Sequence, residues 1–318
     1  MTWQLVTGGA GFVGSHLAQA LLRRGDRVRV FDNLSTGRQE NLDLLRNDAE
    51  IITAELGDLG ALESAMRGVE VVYHQAALPS VPRSLAAPLE THAACVTGTL
   101  NVLEAARRAG VRRVVYAASS SAYGDQPHMS KRETDLPRPL SPYAAAKLAG
   151  EYYCQAYANC FDLEAVAIRY FNVFGPRQDP DSAYAAVIPR FIVSMLEGRR
   201  PLVHGDGLQS RDFTYIDNVV TANLSAAVAG GVSGRTINVA CGKQTTLLEI
   251  LGHLGRILAR DARPEFGPRR PGDPRESLAD ISAARALLGY DVEVDLETGL
   301  ERTVDYYASR GERLRLSA

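Results

Sequence analysis

A glycine-rich turn near the start of the chain constrains the fold more than any other feature. The pattern Gly9-x-Gly11-x-x-Gly14 follows the apolar segment Trp3–Thr7 and precedes a helical pattern at residues 15–22. Glycine permits a tight turn and lets backbone N–H groups approach a phosphate at the start of a helix. A strand pattern at 27–31 completes a β-α-β unit. These features predict a dinucleotide bound at the first turn of a doubly wound fold.

The rest of the first half keeps the same alternation. Strands are predicted at 50–54, 69–74, 114–117 and 163–169, and helices at 60–66, 90–109 and 141–161. The alternation predicts an α/β fold whose parallel sheet is covered on both faces, with ligands at the carboxyl ends of the strands. We assign residues 1–170 to this Rossmann-like domain. Prolines then break the chain into shorter elements, which predicts a smaller C-terminal substrate-binding α/β lobe over 171–318, with a strand near 236–240 returning to the main sheet.

Composition and charge disfavour several other classes of protein. The 318 residues are 46% hydrophobic and 23% charged, with a formal net charge of −2. Such a balance provides no electrostatic reason to expect a nucleic-acid or membrane partner, and no apolar run reaches the ~18 residues that span a bilayer. The four cysteines form no C-x-x-C pair, and none has a histidine at ligand spacing. We therefore expect no metal, reduced thiols and a cytoplasmic location.

Asp32 bears on the choice of dinucleotide. It ends the second predicted strand in Val30-Phe31-Asp32-Asn33. A carboxylate there can accept hydrogen bonds from the adenosine ribose hydroxyls and repels a 2′-phosphate, which favours NAD over NADP. Arg38 lies close by in the sequence and keeps NADP open as an alternative. Asp32 as an ordinary turn residue is the other interpretation.

The segment Tyr143-Ala-Ala-Ala-Lys147 is the candidate catalytic pair. If Ser141-Pro142 begins a helix, the tyrosine and the lysine share one face of it. The pKa of a free tyrosine is about 10, and a nearby ammonium together with an oxidised nicotinamide favours the phenolate. Tyr143 is therefore a candidate general base, although such a pair alone is more often a surface feature. Ser119-Ser120-Ser121 follows an apolar strand and brings hydroxyls to the expected cleft.

These motifs belong to a longer set that resembles a known family. The set is Thr7-Gly8-x-x-Gly11-x-x-Gly14, Asp32-Asn33, Ser119-Ser120-Ser121-Ala122-Tyr123-Gly124, Tyr143-x-x-x-Lys147, Arg169-Tyr170-Phe171-Asn172-Val173-Phe174-Gly175-Pro176, Gly205-Asp206-Gly207, Ser210-Arg211-Asp212-Phe213 and Arg270-Pro271-Gly272-Asp273. It covers nearly the whole chain and is similar to that of extended short-chain dehydrogenases/reductases of the nucleotide-sugar 4-epimerase group.

The resemblance implies a mechanism. Tyr143 would take the proton from the sugar O4′ while the C4′ hydride passes to NAD, and Ser119 would hydrogen-bond O4′. The 4-keto sugar would turn over in the pocket and receive the same hydride on its other face. Lys147 would hold the nicotinamide ribose and lower the pKa of the tyrosine. Relatives that eliminate water or carbon dioxide carry acidic or otherwise distinctive groups where this chain has Ser119-Ser120-Ser121, which favours simple epimerisation.

The resemblance also implies the binding residues. The cofactor-binding set is Gly8, Gly11, Phe12, Val13, Gly14, Asp32, Asn33, Ser35, Gly37, Glu55, Leu56, Gln75, Ala76, Ala77, Tyr143, Lys147 and Tyr170. The substrate-binding set is Ser80, Ser119, Ser120, Asn172, Ala186, Val187, Arg211, Arg270, Asp273 and Ser277. Two positions depart from the family pattern: Glu55 replaces the aspartate that usually contacts adenine, and Pro79 stands where close relatives often have glycine beside the sugar.

Pocket size bears on the sugar. Ser277 is small where epimerases restricted to UDP-glucose and UDP-galactose carry tyrosine, and the segment from Asn172 to Pro189 resembles the UDP-N-acetylglucosamine subgroup. The predicted reaction interconverts UDP-N-acetylglucosamine and UDP-N-acetylgalactosamine. UDP-glucose/galactose or UDP-glucuronate 4-epimerisation is the alternative, and a non-catalytic dinucleotide sensor is the rival of another class. Helices 90–109 and 141–161 resemble those of the family's four-helix dimer interface, unless their apolar stripes pack internally.

Overall fold

The computed structural model describes residues 2–126, 130–180, 187–269 and 275–316. Three predicted substrate-binding residues, Ala186, Arg270 and Asp273, lie outside these ranges. The strands are β1 Trp3–Thr7, β2 Arg27–Asp32, β3 Ala49–Thr53, β4 Val69–His74, β5 Arg113–Ser119, β6 Ser130–Lys131, β7 Glu164–Tyr170, β8 Val173–Phe174, β9 Leu202–His204, β10 Ser210–Asp212, β11 Thr214–Tyr215, β12 Thr236–Val239, β13 Gln244–Thr246, β14 Glu265–Gly267 and β15 Leu278–Ala279.

Helices cover both faces of the main sheet and build most of the second lobe. They are α1 Phe12–Arg23, α2 Gln39–Asp43, α3 Leu59–Ala65, α4 Val81–Ala86, α5 Pro88–His92, α6 Gly98–Arg108, α7 Pro142–Cys160, α8 Val187–Leu196, α9 Ile216–Val228, α10 Leu247–Leu258, α11 Ser282–Leu288 and α12 Leu296–Leu316. A π-helical turn, Ala93–Thr97, joins α5 to α6, and a 3₁₀ turn, Ser120–Tyr123, follows β5.

The main sheet has the predicted doubly wound form. In the described part of the chain it has seven parallel strands in the order β12-β7-β5-β4-β1-β2-β3. The strand order reverses between β1 and β4, which opens a crevice at the carboxyl ends of the strands where such folds bind ligands. β12 pairs with β7, so the strand predicted near 236–240 does return to the main sheet. The predicted fold class is confirmed, while the division at residue 170 stays a prediction.

The helix predicted at 90–109 differs from the prediction. The structure has α5, the π-helical turn and α6 in its place, with a wider turn at Cys95. In that turn the Thr99 hydroxyl donates a hydrogen bond to the Cys95 carbonyl oxygen at 2.7 Å. Gly98 follows, where a Cβ atom would lie 2.8 Å from Leu56 Cδ1. These are contacts between side chains and backbone, which the apolar periodicity of the segment does not encode.

Short two-stranded sheets support the second lobe. β10 pairs with β13, β11 with β8 and β14 with β9. The buried carboxylate of Asp212 accepts hydrogen bonds from the backbone N–H groups of Cys241, Gly242 and Ala279, which ties three segments of this lobe together. Across the described ranges, no helix combines the length and apolarity needed to cross a bilayer.

Candidate active site

The glycine turn is held in a geometry that only glycine allows. Gly8 has a φ of +71°, and a Cβ on Gly14 would lie 2.1 Å from the Gly8 carbonyl oxygen. No side chain caps α1, so its first N–H groups remain available to an acceptor from outside the helix. Backbone atoms can therefore approach a pyrophosphate at the positive end of the helix dipole. This cradle fits the dinucleotide that the motif predicts.

Asp32 is buried at the end of β2, beside this turn. Its carboxylate accepts hydrogen bonds from the N–H groups of Ala10 at 2.9 Å and Leu34 at 2.7 Å. Burial raises the pKa of Asp32, and these two bonds counteract the rise. Arg38, which left NADP open, forms ion pairs with Glu40 at 2.8 Å and Asp179 at 3.3 Å. Its charge is thus already compensated by carboxylates, which favours NAD over a cofactor with a 2′-phosphate.

Gln75 and Ala76 follow β4, and Tyr170 ends β7, at the same edge of the sheet, with β5 between the two strands. The Tyr170 hydroxyl lies 3.1 Å from Gln75 Oε1 and 2.9 Å from Asn223 Oδ1, and its single hydrogen is shared between these two acceptors. The Gln75 amide also donates to Asn223 at 3.2 Å. These bonds fix the two predicted cofactor residues relative to each other. Asn223, on α9, is a polar partner that sequence reasoning missed, because only the tertiary fold brings it to this edge.

The helix α7 carries the candidate catalytic pair. It begins as predicted, with Pro142 in its first turn and the Ser141 hydroxyl accepting a hydrogen bond from the Ala144 N–H. Gly150 lets this helix lie close to β5, since a Cβ there would be 2.3 Å from the Tyr116 hydroxyl oxygen. That close packing brings Tyr143 and Lys147 to the end of β5, where Ser119 lies.

The Ser119 hydroxyl lies beside the Tyr143 phenol and affects its pKa. Burial raises the pKa of Tyr143 well above its ordinary value, Cys95 adds to the rise, and the Ser119 hydroxyl opposes it. The Lys147 ammonium donates to the Ala117 carbonyl oxygen at 2.8 Å, and burial lowers the pKa of Lys147. Burial is therefore the main cause of the raised pKa of the Tyr143 phenol. A further positive charge beside it, such as oxidised nicotinamide, is needed to favour the phenolate near neutral pH.

Other predicted cofactor residues occupy the loops around this edge. The Asn33 side chain accepts a hydrogen bond from the Ser35 N–H at 3.0 Å, and Gly37 packs against Ala10, which a Cβ would approach to 2.5 Å. Glu55 is exposed, and Leu56 packs in the core beneath α6. Sequence reasoning missed Asn41, whose amide donates to the Ala10 carbonyl oxygen at 2.8 Å and so holds the glycine turn from behind.

The second lobe holds a cavity of about 250 Å³. It brings together the predicted substrate residues Asn172, Val187 and Arg211, with Phe213 and Leu247 as apolar lining. Asn172 has a φ of +34°, and its amide donates to the Asp212 carbonyl oxygen at 3.2 Å. The cavity thus combines polar groups with apolar surface, as a nucleotide requires.

Arg190 also lines this cavity, and the motifs gave no sign of it. Its guanidinium has no hydrogen bond or ion pair with a described residue. Ser277 lies next to the cavity's strand β10, where its N–H donates to the Ser210 carbonyl oxygen at 3.2 Å. Ser80 caps α4 by accepting a hydrogen bond from the Arg83 N–H at 3.0 Å, so part of its hydrogen-bonding capacity is used structurally.

The doubly wound sheet and the Tyr143–Ser119 contact at its crevice define the class of protein. They are the fold and the site of an extended short-chain dehydrogenase/reductase, in which a tyrosine phenol faces a dinucleotide. No group of three or more metal-ligating side chains occurs among the residues that the structure covers.

Known proteins are similar to this chain over almost its whole length. A UDP-glucose 4-epimerase of Mycolicibacterium smegmatis is 40% identical over 314 residues, 97% of this chain and 99% of the relative. The structure of UDP-N-acetylglucosamine 4-epimerase from Methanobrevibacter ruminantium M1, in complex with UDP-N-acetylmuramic acid, superposes with a TM-score of 0.93 at 38% identity, covering 97% of this chain and 99% of that chain. UDP-glucuronic acid 4-epimerase from Bacillus cereus, in complex with UDP-glucuronic acid and NAD, has a TM-score of 0.89 at 34% identity with the same coverage.

The NAD-dependent epimerase/dehydratase family matches residues 4–240. The chain belongs to this family. It is an NAD-dependent nucleotide-sugar 4-epimerase, which is an isomerase, and NAD is its cofactor. The individual roles of the site residues stay predictions.

Proposed function

We propose that this protein interconverts UDP-N-acetylglucosamine and UDP-N-acetylgalactosamine by inverting C4′ of the sugar. The observation that carries the chemistry is the placement of the buried Tyr143 phenol beside the Ser119 hydroxyl at the carboxyl edge of the sheet, one helical turn from the buried Lys147. NAD, when bound, accepts the C4′ hydride and later returns it. Everything else in the reaction falls to side chains of this chain.

Tyr143 moves the proton in this proposal. Its phenolate oxygen takes the proton from O4′ as the C4′ hydride leaves, and the same phenol gives the proton back when the hydride returns to the other face. Ser119 holds O4′ within reach of the phenol through its hydroxyl. Because both proton and hydride are restored, the net reaction needs no other oxidant or reductant and is an isomerisation. Lys147 supplies a fixed positive charge beside the phenolate and the nicotinamide ribose.

Arg211 and the cavity around it serve the nucleotide end of the substrate. The Arg211 guanidinium lies in the wall of the 250 Å³ cavity beside Asn172 and Val187. Its NH1 donates to the carbonyl oxygens of Ser210 at 2.7 Å and Arg275 at 3.3 Å, which orients the rest of the fork. A planar guanidinium held in this way suits a diphosphate, which accepts paired hydrogen bonds.

Ser277 supports the acetylated sugar. Its backbone N–H is bonded to Ser210, the residue before Arg211, and a side chain as short as serine would leave room for an acetamido group. UDP-glucose/UDP-galactose is the second candidate, because the 40% identical relative from Mycolicibacterium smegmatis bears the name UDP-glucose 4-epimerase. UDP-glucuronate is a weaker alternative, since glucuronate epimerases tend to carry threonine at the position of Asn172.

Product analysis tests the function and the sugar separately. The purified protein, supplied with NAD, is incubated with UDP-N-acetylglucosamine, UDP-glucose and UDP-glucuronate, and the products are resolved by chromatography. We expect UDP-N-acetylgalactosamine to form, and Tyr143→Phe to lower kcat by roughly 10³ without loss of NAD binding. Turnover of UDP-glucose alone would refute UDP-N-acetylglucosamine as the substrate but would still be 4-epimerase activity. If wild type and Tyr143→Phe were equally inactive on all three sugar nucleotides, the proposed reaction would be refuted and the sensor alternative would gain.

Ser277→Tyr is the matched variant for specificity. A tyrosine at this position should fill the space proposed for the acetamido group. We expect kcat/KM for UDP-N-acetylglucosamine to fall at least about tenfold relative to that for UDP-glucose, because overpacking of a pocket costs on the order of 1–3 kcal/mol. An equal effect on both sugars would show that Ser277 does not face the acetamido group.

A homodimer and a cytoplasmic location complete the proposal. α5 packs against both α4 and α7, and Leu85, Leu89 and Tyr152 on these helices are exposed, Leu89 to 83%. Exposed leucines on adjacent helices are suited to a partner copy. A monomeric mass in solution would contradict the dimer.

The cytoplasmic location is supported by the four cysteines, which are all free thiols.

A further inference from the structure

The loop after β4 contacts both the glycine turn and the catalytic helix α7. Ala76 lies directly against the turn, since a Cβ on Gly8 would be 2.6 Å from the Ala76 nitrogen. Two residues later, Leu78 packs with Cys95 and Ala146, the residue before Lys147. Any shift of this loop therefore changes the spacing between the predicted pyrophosphate cradle and the catalytic pair.

A chain of buried hydrogen bonds begins at this loop. The Ala76 N–H donates to Thr7 Oγ1 at 3.3 Å, and Thr7 Oγ1 lies 2.7 Å from His74 Nδ1. On the other side of the ring, His74 Nε2 lies 3.0 Å from Thr99 Oγ1, which donates to the Cys95 carbonyl oxygen at 2.7 Å. Thr7, His74 and Thr99 are all fully or almost fully buried. The chain returns to its starting loop because the Leu78 N–H donates to Cys95 Sγ at 3.4 Å.

The donors along this chain are determined by counting hydrogens. Thr99 has one hydroxyl hydrogen and uses it on the Cys95 carbonyl oxygen, so His74 Nε2 must carry the hydrogen between them. His74 Nδ1 is then the acceptor, the Thr7 hydroxyl donates to it, and Thr7 retains a lone pair for the Ala76 N–H. Burial lowers the pKa of His74 to about 3, with Lys147 as a second cause, so the ring stays neutral. His74 thus has one tautomer, in which every bond is satisfied.

We propose that Thr7, His74 and Thr99 are positioning residues that hold the Ala76 and Leu78 backbone in place and thereby set the distance between the glycine turn and the catalytic helix. None of the three is needed to touch the sugar. The inference rests on the proposed function in that this spacing has to suit NAD on one side and Tyr143 on the other. Its readout is the bound dinucleotide, which does not depend on which sugar is turned over.

Two substitutions of His74 separate positioning from simple core packing. His74→Asn places an amide oxygen near the position of Nδ1 and can still accept from Thr7, whereas His74→Gln places an amide nitrogen near Nε2 and preserves only the bond to Thr99. Both remove the imidazole. The NAD dissociation constant of the cofactor-free protein is measured by calorimetry without sugar, at a temperature where both variants are folded, and amide hydrogen exchange of Ala76 and Leu78 is followed in parallel.

We expect His74→Asn to bind NAD within about threefold of wild type, with faster exchange at Leu78 because the bond to Thr99 is lost. We expect His74→Gln to bind about tenfold more weakly with faster exchange at Ala76, since tenfold corresponds to the loss of about one buried hydrogen bond. Equal affinities of the two variants would overturn the proposal. If either variant fails to fold, Thr7→Ser and Thr7→Val make the same comparison: serine keeps the hydroxyl, and valine keeps the shape. An equal effect of these two would also overturn it.

The two proposals fail in different ways. Should no sugar nucleotide be turned over while the Asn and Gln variants of His74 still differ in NAD affinity, only the proposed substrate reaction is refuted. Should turnover be observed while the two variants bind NAD equally, only the positioning role is refuted.

Discussion

Gly14→Ala is a direct test of the geometry of the glycine turn. A Cβ at this position would lie 2.1 Å from the Gly8 carbonyl oxygen, 2.8 Å from the Gly8 carbonyl carbon and 2.9 Å from Gly9 Cα. All three atoms belong to the backbone of the same turn. No side chain can rotate away to relieve the contact, so the turn itself has to move.

Two effects of opposite sign decide the magnitude. Gly14 lies within α1, where alanine is favoured over glycine by about 1 kcal/mol in helix propensity. Overpacking costs about 1–3 kcal/mol and more where rigid atoms meet. Because the contact is with backbone, we expect the upper part of that range and a net loss of about 2 kcal/mol in the free energy of unfolding. The melting temperature should then fall by about 4–8 °C, at about 2–4 °C per kcal/mol for a large domain.

The assay is urea unfolding with and without NAD. A ligand at a hundred times its dissociation constant stabilises the native state by about 2.7 kcal/mol, and Gly14→Ala should lose most of that gain because the cradle is displaced. Gly230→Ala is the control, since its Cβ would meet no atom within 4 Å and its φ is not positive. We expect Gly230→Ala to be neutral or slightly stabilising. A Gly14→Ala protein as stable as wild type, with its stabilisation by NAD intact, would refute the clash.

Two further predictions concern the catalytic helix. Ser119→Ala removes the hydroxyl that lowers the pKa of Tyr143. Because the base acts only when deprotonated, the rising limb of kcat/KM against pH should move to higher pH, and an unmoved limb would contradict the role of Ser119. Glu151 and Arg169 form an ion pair at 2.6 Å with side chains only 3% and 4% exposed, so Glu151→Leu should cost about 3–5 kcal/mol in urea unfolding, whereas adding Arg169→Met should recover part of the loss. A double variant less stable than Glu151→Leu would show that the unpaired charge is not the cause.

Local signals were sufficient for much of the fold and for part of the site. The strand and helix patterns predicted the main sheet because each depends on periodicity within a short window. The position of Tyr143 and Lys147 on one face of α7 was predictable for the same reason, once Ser141 and Pro142 marked the start of the helix. The π-helical turn within 90–109 was not predictable, because it depends on Thr99 and Leu78 contacting Cys95.

In the site, too, some residues were predictable from local sequence patterns and others were not. Asp32 and the glycines were identifiable because their spacing relative to a strand and a helix is a property of the chain itself. Asn41 and Asn223 were not, because only the fold brings them to Ala10 and Tyr170. Arg190 was not either, because no motif marks it, although it shares α8 with Val187. Arg38 left the choice between NAD and NADP open in the sequence. Only the folded structure pairs its guanidinium with Asp179, 141 residues away, which favours NAD.

By itself, the amino-acid sequence determined the order of the strands and helices, the glycine cradle and the types of group that can perform the chemistry. These depend on backbone conformation and on neighbours a few residues apart. Only the tertiary structure decided the state of those groups: the neutral His74 with a single tautomer, the raised pKa of Tyr143 and the bond from Lys147 to Ala117. The reason is that burial and long-range contacts set the protonation of a side chain, and both arise only when distant segments pack together.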